Sequence, residues 1–303
     1  MQEAVVAEGG AAAAMRSRAE SLAHPQGQAL SAAPLIAPAP IAPAPARPLS
    51  MSDRPLGGVR VLELTHVIAG PVAGRTLAAH GADVLHIGAA HLPAVRPVMI
   101  DTGVGKRSAH LDLRMQEGRE RLWRLIAETD VFVGSFRPSA LARLGFSAEK
   151  LVAARPGLVL VELDAYGWQG PWADRRGFDS LVQLASGIAA EMAVDGPRPL
   201  PAQALDHATG WLAAAAAMIG LARRAVDGGS WRARLSLART GMWLDSLGRK
   251  PGTAAELDVT GLLEDTPSQF GTLTHVRVPG VLPAANPRWT HGSHLPGSDP
   301  AQW

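Results

Sequence analysis

Val59-Arg60-Val61-Leu62-Glu63-Leu64-Thr65-His66-Val67-Ile68-Ala69-Gly70-Pro71 passes from a strand pattern to a helix pattern without a break. Val59–Leu64 is a mostly apolar run of strand length, and Gly70-Pro71 opens a helix that continues to His80, because proline fits the first helical position. Working outward toward the C-terminus, Ala82–Ile87 forms a second strand. Gln116–Thr129 has helical periodicity, with Leu122, Leu125 and Ile126 on one face. Asp130–Val133 and Leu158–Leu163 follow as third and fourth strands. Strands separated by helices of this length predict an α/β domain, a Rossmann-like parallel sheet with helices on both faces.

The pattern continues with helices over 179–192 and 206–226, the second apolar almost all round and so expected to be buried. Trp231–Leu237 alternates like a half-buried strand, and His275–Val278 offers one more. Toward the N-terminus, Ala33–Ser50 is a proline-alanine linker expected to be extended and weakly ordered. Ahead of it, Ala14–Leu30 predicts a short helix ending near His24-Pro25, either docked or part of a solvated tail.

Composition removes several chemistries. The chain of 303 residues has a formal charge of only +2 with its arginines spread along it, so no nucleic-acid partner is expected. Cysteine is absent, which removes disulfides, thiolate metal sites and a thiol nucleophile. The apolar stretch Trp211–Ala222 is too short to span a bilayer, and the N-terminus lacks a basic leader region. A cytoplasmic protein without a membrane segment is the expectation.

Gly103-Val104-Gly105-Lys106-Arg107-Ser108 lacks the Lys-Ser/Thr ending of a phosphate loop, and no Gly-x-Gly-x-x-Gly follows the first strand. Lys106 and Arg107 remain either phosphate-binding charges or a solvated loop. The histidines show no metal-ligand spacing; His66 and His86 sit at strand ends, so no metal is expected. Asp206 opens a helix after the extended segment Pro197–Leu205. It reads both as an N-cap and as a nucleophile kept ionised by the helix dipole.

Several segments together resemble family III CoA-transferases, the CaiB/BaiF type that includes formyl-CoA transferase, carnitine CoA-transferase and α-methylacyl-CoA racemase. They are Arg54–Thr65 with His66–Pro71, Gly81–Val84, Gly105–Ser108 with Leu111-Asp112-Leu113, Phe136-Arg137-Pro138 through Gly145, Tyr166-Gly167 with Gly170-Pro171, and Gly177-Phe178-Asp179. All fall in family order. The resemblance implies that Asp206, in Ala204–Gly210, attacks an acyl-CoA thioester, and that CoA passes to a carboxylic acid through an aspartyl covalent intermediate. It also implies that acyl-CoA runs along Val67, Ile68, Lys106, Ser135, Phe136 and Arg143, with Tyr166 and Gln169 beside the acyl group. Phe178 stands where the racemases carry their base histidine, which disfavours racemisation.

The chain departs from the family at Gly88-Ala89, where a Glu-Arg pair is usual, and at Ser135 and Asp164, where asparagine and lysine occur. The small domain is largely missing. Arg16–Gly27 resembles the end of that domain but precedes the core, and Val276–Trp303 resembles the return segment. The division expected is 1–53 as small-domain remnant and linker, 54–240 as family core, and 241–303 as irregular return segment. A homodimer, or a partner chain supplying the missing domain, follows from the resemblance. The alternative is a non-catalytic binding or assembly subunit.

Overall fold

The computed structural model describes residues 1–192, 195–249, 258–280, 285 and 287–303. Much of the proline- and glycine-rich stretch after Arg249 and the middle of the return segment lie outside the described residues. The N-terminal part carries α1 (Gln2–Ala7), α2 (Arg18–Ala23), α3 (Pro25–Ala32) and β1 (Ala39–Ala42). The core then runs β2 (Arg60–Leu64), α4 (Ala69–Ala79), β3 (Asp83–Gly88), α5 (Arg96–Thr102) and β4 (Arg107–His110). It continues with α6 (Gln116–Ile126), β5 (Val131–Gly134), α7 (Pro138–Arg143), α8 (Ala148–Ala154) and β6 (Val159–Asp164). After it come α9 (Asp179–Ser186), α10 (Ile188–Glu191), α11 (Ala204–Asp227), β7 (Ser230–Ser236) and α12 (Leu237–Ser246). A hairpin of β8 (Leu263–Ser268) and β9 (Gly271–Val276) follows.

The strands form a seven-stranded sheet in the order β1-β7-β6-β5-β2-β3-β4. Strands β2 to β7 are mutually parallel, and β1 joins β7 antiparallel. Alternation along each strand divides the core. Val61, Val84, Val131, Val133, Val159 and Val161 face one side, with α4 and α11 above them. Leu62, Leu85, Phe132 and Leu160 face the other, against Leu122, Ile126 and Leu151 of α6 and α8. Both faces are therefore covered, as a parallel sheet requires.

The order places β2 between β3 and β5, so the chain reverses its direction of winding there and leaves a crevice outside the carboxyl ends of β2 and β5. Crossover helices run back across the sheet, so the N-termini of α4 and α11 lie at that same carboxyl edge. Alanines and Gly220 let α11 lie close: a Cβ at Gly220 would stand 2.6 Å from Val159.

Four expectations change. The helix over 179–192 is two helices, because Gly187 takes φ +95° between α9 and α10. The apolar helix α11 buries one side only, leaving Trp211, Ile219 and Val226 exposed on this chain. The N-terminal helix is two helices, with Pro25 starting the second and His24 capping it. The linker expected to be weakly ordered is extended, and it pairs: Ala39 and Pro40 stand opposite Arg232 and Trp231. The free edge of β7 supplies the partner, and proline is tolerated on such an edge.

Gln26 locks the N-terminal segment to the core. Its Nε2 donates to the carbonyls of Tyr166 (2.7 Å) and Gln169 (2.8 Å), and its Oε1 accepts from the Trp172 N–H (2.7 Å). The ring of His24 lies 4.4 Å from that of Trp172. Replacing Gln26 by alanine leaves these partners dry, so Gln26→Ala is expected to lower stability by about 2–4 kcal/mol in urea unfolding. An unchanged midpoint would mean that the segment is undocked in solution.

Candidate active site

The crevice begins where β2 ends. The Ser135 N–H donates to the Leu64 carbonyl (3.2 Å), and Ser135 Oγ accepts from the His66 N–H (3.1 Å), so Ser135 ties β5 to β2 across the switch point. The His66 ring meets the Phe136 ring edge-on at 5.4 Å. Burial, and then the His86 charge, hold the His66 imidazole below its ordinary pKa. Val67 takes φ +65°, a conformation a β-branched residue adopts at a cost of about 1–3 kcal/mol, and its side chain is exposed. Ile68 is the buried N-cap of α4, which has no side-chain cap.

Beneath Val67 lies a cavity of about 330 Å³, lined by Thr65, His66, His86, Lys106, Arg107 and the loop 88–95 among others. Behind its wall, bound by the lining residues Thr65, His86 and Lys106, is a buried carboxylate. Glu63 accepts Lys106 Nζ on both oxygens (3.0 Å each), Thr65 Oγ1 (2.8 Å) and His86 Nδ1 (2.8 Å). Burial alone would raise the Glu63 carboxyl, but the Lys106 charge and the His86 hydrogen bond bring it to about 2. Pro71 O takes a further Lys106 N–H (3.2 Å). With its donors directed to Glu63 and Pro71 O, the ammonium has a different occupation from the phosphate contact expected of it; Lys106 lines the cavity as one half of an internal ion pair.

The remaining expected contacts separate. Phe136 lines a second cavity of about 200 Å³ with Arg137, Leu141 and Arg234. Arg143 is exposed at the end of α7, where its Nη1 donates to Ser139 Oγ (2.6 Å). Tyr166 is buried against Trp172, lining a small void beside His24 and Leu30, and Gln169 is exposed with its carbonyl held by Gln26.

Asp206 sits within the first turn of α11, and Gln203, with φ +52°, is the N-cap. The cap role read from the sequence therefore falls to a different position. The Asp206 N–H donates to Asp179 Oδ2 (2.9 Å), while no described residue donates to the Asp206 carboxylate. The side chain is 7% exposed. It lines neither cavity; it lies behind the first turn of α4, where Gly210, one turn along α11, packs so closely that a Cβ would stand 2.5 Å from Ala69 O. Burial first, then the Asp179 charge, push its carboxyl up to about 7. Such a group is divided between acid and carboxylate near neutrality, and its carboxylate is more basic than an ordinary one. Phe178, the N-cap of α9, is 49% exposed and has no proton to exchange.

Two groups, Glu63 and Asp179, have no role assigned from the sequence, and a third, Asp164, stands there only as a departure from the family. Glu63 shows as the lone acid of a strand whose other residues after Arg60 are apolar. Asp179 showed only as part of a motif. Asp164 accepts the Gly167 N–H at Oδ1 (2.7 Å), has Oδ2 buried without a partner, and is pushed up to about 8 by burial.

Because the folded state raises the Asp206 pKa from 3.8 to about 7, it holds the proton more tightly than the unfolded chain. That contribution is complete below pH 3.8 and is lost as pH rises through 7. Asp206→Asn cannot ionise and escapes the loss. Its unfolding free energy should match the parent near pH 4 and exceed it by on the order of 3–4 kcal/mol at pH 8. A pH-independent difference in urea unfolding would show an unperturbed carboxyl.

The chain is 33% identical over 203 residues to an acetyl-coenzyme A transferase of Hypoxylon pulicicidum, covering 64% of this chain and 34% of that protein. It is 31% identical over 196 residues to a probable fatty acyl-CoA transferase of Mycobacterium tuberculosis, covering 60% of this chain and 50% of the relative. The chain thus spans half or less of the length of these two curated relatives. A crystal structure of that mycobacterial protein superposes with a TM-score of 0.60 at 30% identity, covering 64% of this chain and 58% of that one. A CaiB/BaiF family protein from Brucella suis superposes with a TM-score of 0.56 at 27% identity, covering 73% and 65%. A family model for CoA-transferase family III matches residues 56–248, the stretch that holds the switch-point crevice and Asp206, and this chain belongs to that family.

Proposed function

We propose that this chain moves CoA between an acyl-CoA and a carboxylic acid, with Asp206 as nucleophile. The observation that carries the reading is a buried carboxylate free of described hydrogen-bond donors, in the first turn of a long helix at the carboxyl edge of the sheet. The Asp206 carboxylate attacks the thioester carbonyl; the C–S bond breaks, the CoA thiolate leaves, and an acyl-aspartyl anhydride forms. The thiolate then attacks the aspartyl carbonyl, releasing the donor acid and leaving an aspartyl-CoA thioester. The acceptor carboxylate reverses both steps, and Asp206 is regenerated. No proton need change hands, which suits a site where Phe178 replaces a base. The positive end of the α11 dipole favours the carboxylate that must attack.

In this reading acyl-CoA lies over Val67 and Ile68, against Ser135 and Phe136. Lys106 is in the wall and the free guanidinium face of Arg143 is directed to a phosphate. The strained Val67 backbone supports a contact there, since such strain collects at functional positions. A homodimer, or a partner chain carrying the small domain, would close the site. The engagement of Lys106 with Glu63 favours a second reading, a non-catalytic subunit of the same fold.

Trapping separates the two. The protein is incubated with a series of acyl-CoAs, hydroxylamine is added, and the modified residue is mapped by mass spectrometry. A hydroxamate is expected at Asp206, and none in Asp206→Ala. No adduct with any acyl-CoA, together with no heat of CoA binding, would establish the non-catalytic reading.

A further inference from the structure

Asp179 and Gln183 are both fully buried, and the mechanism above uses neither. They form a chain of hydrogen bonds whose direction is fixed by its two ends. At one end the Leu200 N–H donates to Gln183 Oε1 (2.6 Å), so the amide nitrogen of Gln183 must turn the other way. That nitrogen donates to Asp179 Oδ1. At the far end Asp179 Oδ2 accepts the Asp206 N–H (2.9 Å). Both Asp179 oxygens therefore accept, the arrangement of an unprotonated carboxylate.

The far end has a second significance. Counting from Ala204, Asp206 occupies N3, whose N–H is ordinarily taken by the side chain of the N-cap residue. Here the N-cap is Gln203, which makes no such bond, and the chain enters the helix through two non-glycine residues with positive φ, Ala202 at 59° and Gln203 at 52°. An entry of this kind needs an acceptor from elsewhere, and Asp179 of α9 supplies it. An acidic side chain at N3 commonly reaches back to the N-cap backbone. Here the N3 N–H is satisfied from α9, and no described residue donates to the Asp206 carboxylate itself.

We infer that Asp179, held by Gln183, is a positioning residue for Asp206: it caps α11 from the neighbouring helix and places a fixed negative charge beside the proposed nucleophile. This rests on the assignment of Asp206 made above. Next to Asp206 on the helix, burial holds His207 below its ordinary pKa, and the charges acting on His207 include the Arg75–Asp101 pair of α4 and α5, closed at 3.0 Å. After burial, the Asp179 charge is what acts on Asp206, and it raises that carboxyl.

The chain of donors dictates the test. In D179N the new amide nitrogen opposes one of two N–H groups, so the network breaks at one end. In D179N/Q183E every donor again meets an acceptor. The amide introduced at 179 accepts the Asp206 N–H and donates to the carboxylate introduced at 183, which also accepts the Leu200 N–H. The negative charge is thereby moved one helical turn further from Asp206. Protein labelled with 13C at the aspartate carboxyls is titrated by NMR, and Asp206 is assigned by comparison with D206N. In D179N/Q183E the Asp206 midpoint is expected to fall by about half a unit or more. The pH profile of hydroxamate trapping is expected to shift by the same amount, with the yield above that of D179N. An Asp206 midpoint equal to the parent's in the folded double variant would overturn the inference. The NMR titration needs no acyl-CoA, so a protein that forms no adduct yet shows the shift would refute the transferase reading and leave this one standing.

Discussion

A carboxylate with no solvent exposure lies under the crevice, and the geometry above it depends on how that charge is satisfied. Glu63 belongs to β2, His86 to β3, and Lys106 directly precedes β4, so one acid joins three adjacent parallel strands. Burying both members of an ion pair is costly, and the attraction offsets the cost only where the remaining hydrogen-bonding positions are filled. Thr65, His86 and the Pro71 carbonyl fill them here. The arrangement also dictates Gly74 on α4, since a Cβ there would stand 1.7 Å from Glu63 Oε2. Held from below by Glu63 and from the side by Ser135, the chain leaving β2 has little freedom. Val67 is carried into a positive φ that it would not adopt alone. The strain is confined to Val67, between the Glu63 cluster on one side and the Ser135 contact to His66 on the other.

The same sheet explains why the segments outside the core are ordered. A parallel sheet of six strands leaves two open edges, and both are closed by the ends of the chain. On one edge β1 pairs with β7, and the Gly229 N–H continues the contact to Ala44 O (2.8 Å). On the other, Asp299 N–H reaches Ser108 O (2.9 Å) and its carboxylate accepts the Ser108 N–H (2.7 Å), while Trp303 Nε1 bonds Leu125 O (2.9 Å). Unpaired edge groups invite association with other chains; a short outer strand with Pro40 and the cover of Ser108 by Asp299 reduce that liability. Gln26 adds a third attachment, to the loop between β6 and α9. In this way sequence that flanks the family match is folded onto it.

Period and composition made the central strands legible, because β2, β3, β5 and β6 are buried on both faces and so consist of nearly uninterrupted apolar residues. They could not reveal β1 or β4. Ala39-Pro40-Ile41-Ala42 has no strand pattern of its own, and it becomes a strand because β7 offers an edge. Arg107-Ser108-Ala109-His110 is polar because it lies where the sheet meets the return segment. The exposure of Trp211, Ile219 and Val226 was hidden for another reason: apolar composition says that a helix face prefers cover, and cannot say that this chain supplies it. Among site residues, Ser135 and Val67 lie at the switch point, a location that comes from the strand order and not from the resemblance, which named them only as CoA contacts. For Lys106 the resemblance was silent on Glu63, whose partner lies 43 positions away in sequence.

Asp206 shows most clearly why a local reading stops short. A helix start after an extended segment makes an aspartate look like a cap, and that inference uses only neighbours in sequence. Capping is a requirement of the helix, however, and any acceptor can meet it. Once Asp179 meets it from α9, the Asp206 side chain no longer has that work, and what remains is a carboxyl in a dry place beside a like charge. Those two conditions raise its basicity while costing folded stability, a combination that packing alone gives no reason to retain. In the reading proposed above, where this carboxylate attacks a thioester, the added basicity favours the attack, and the capping of α11 comes from another helix.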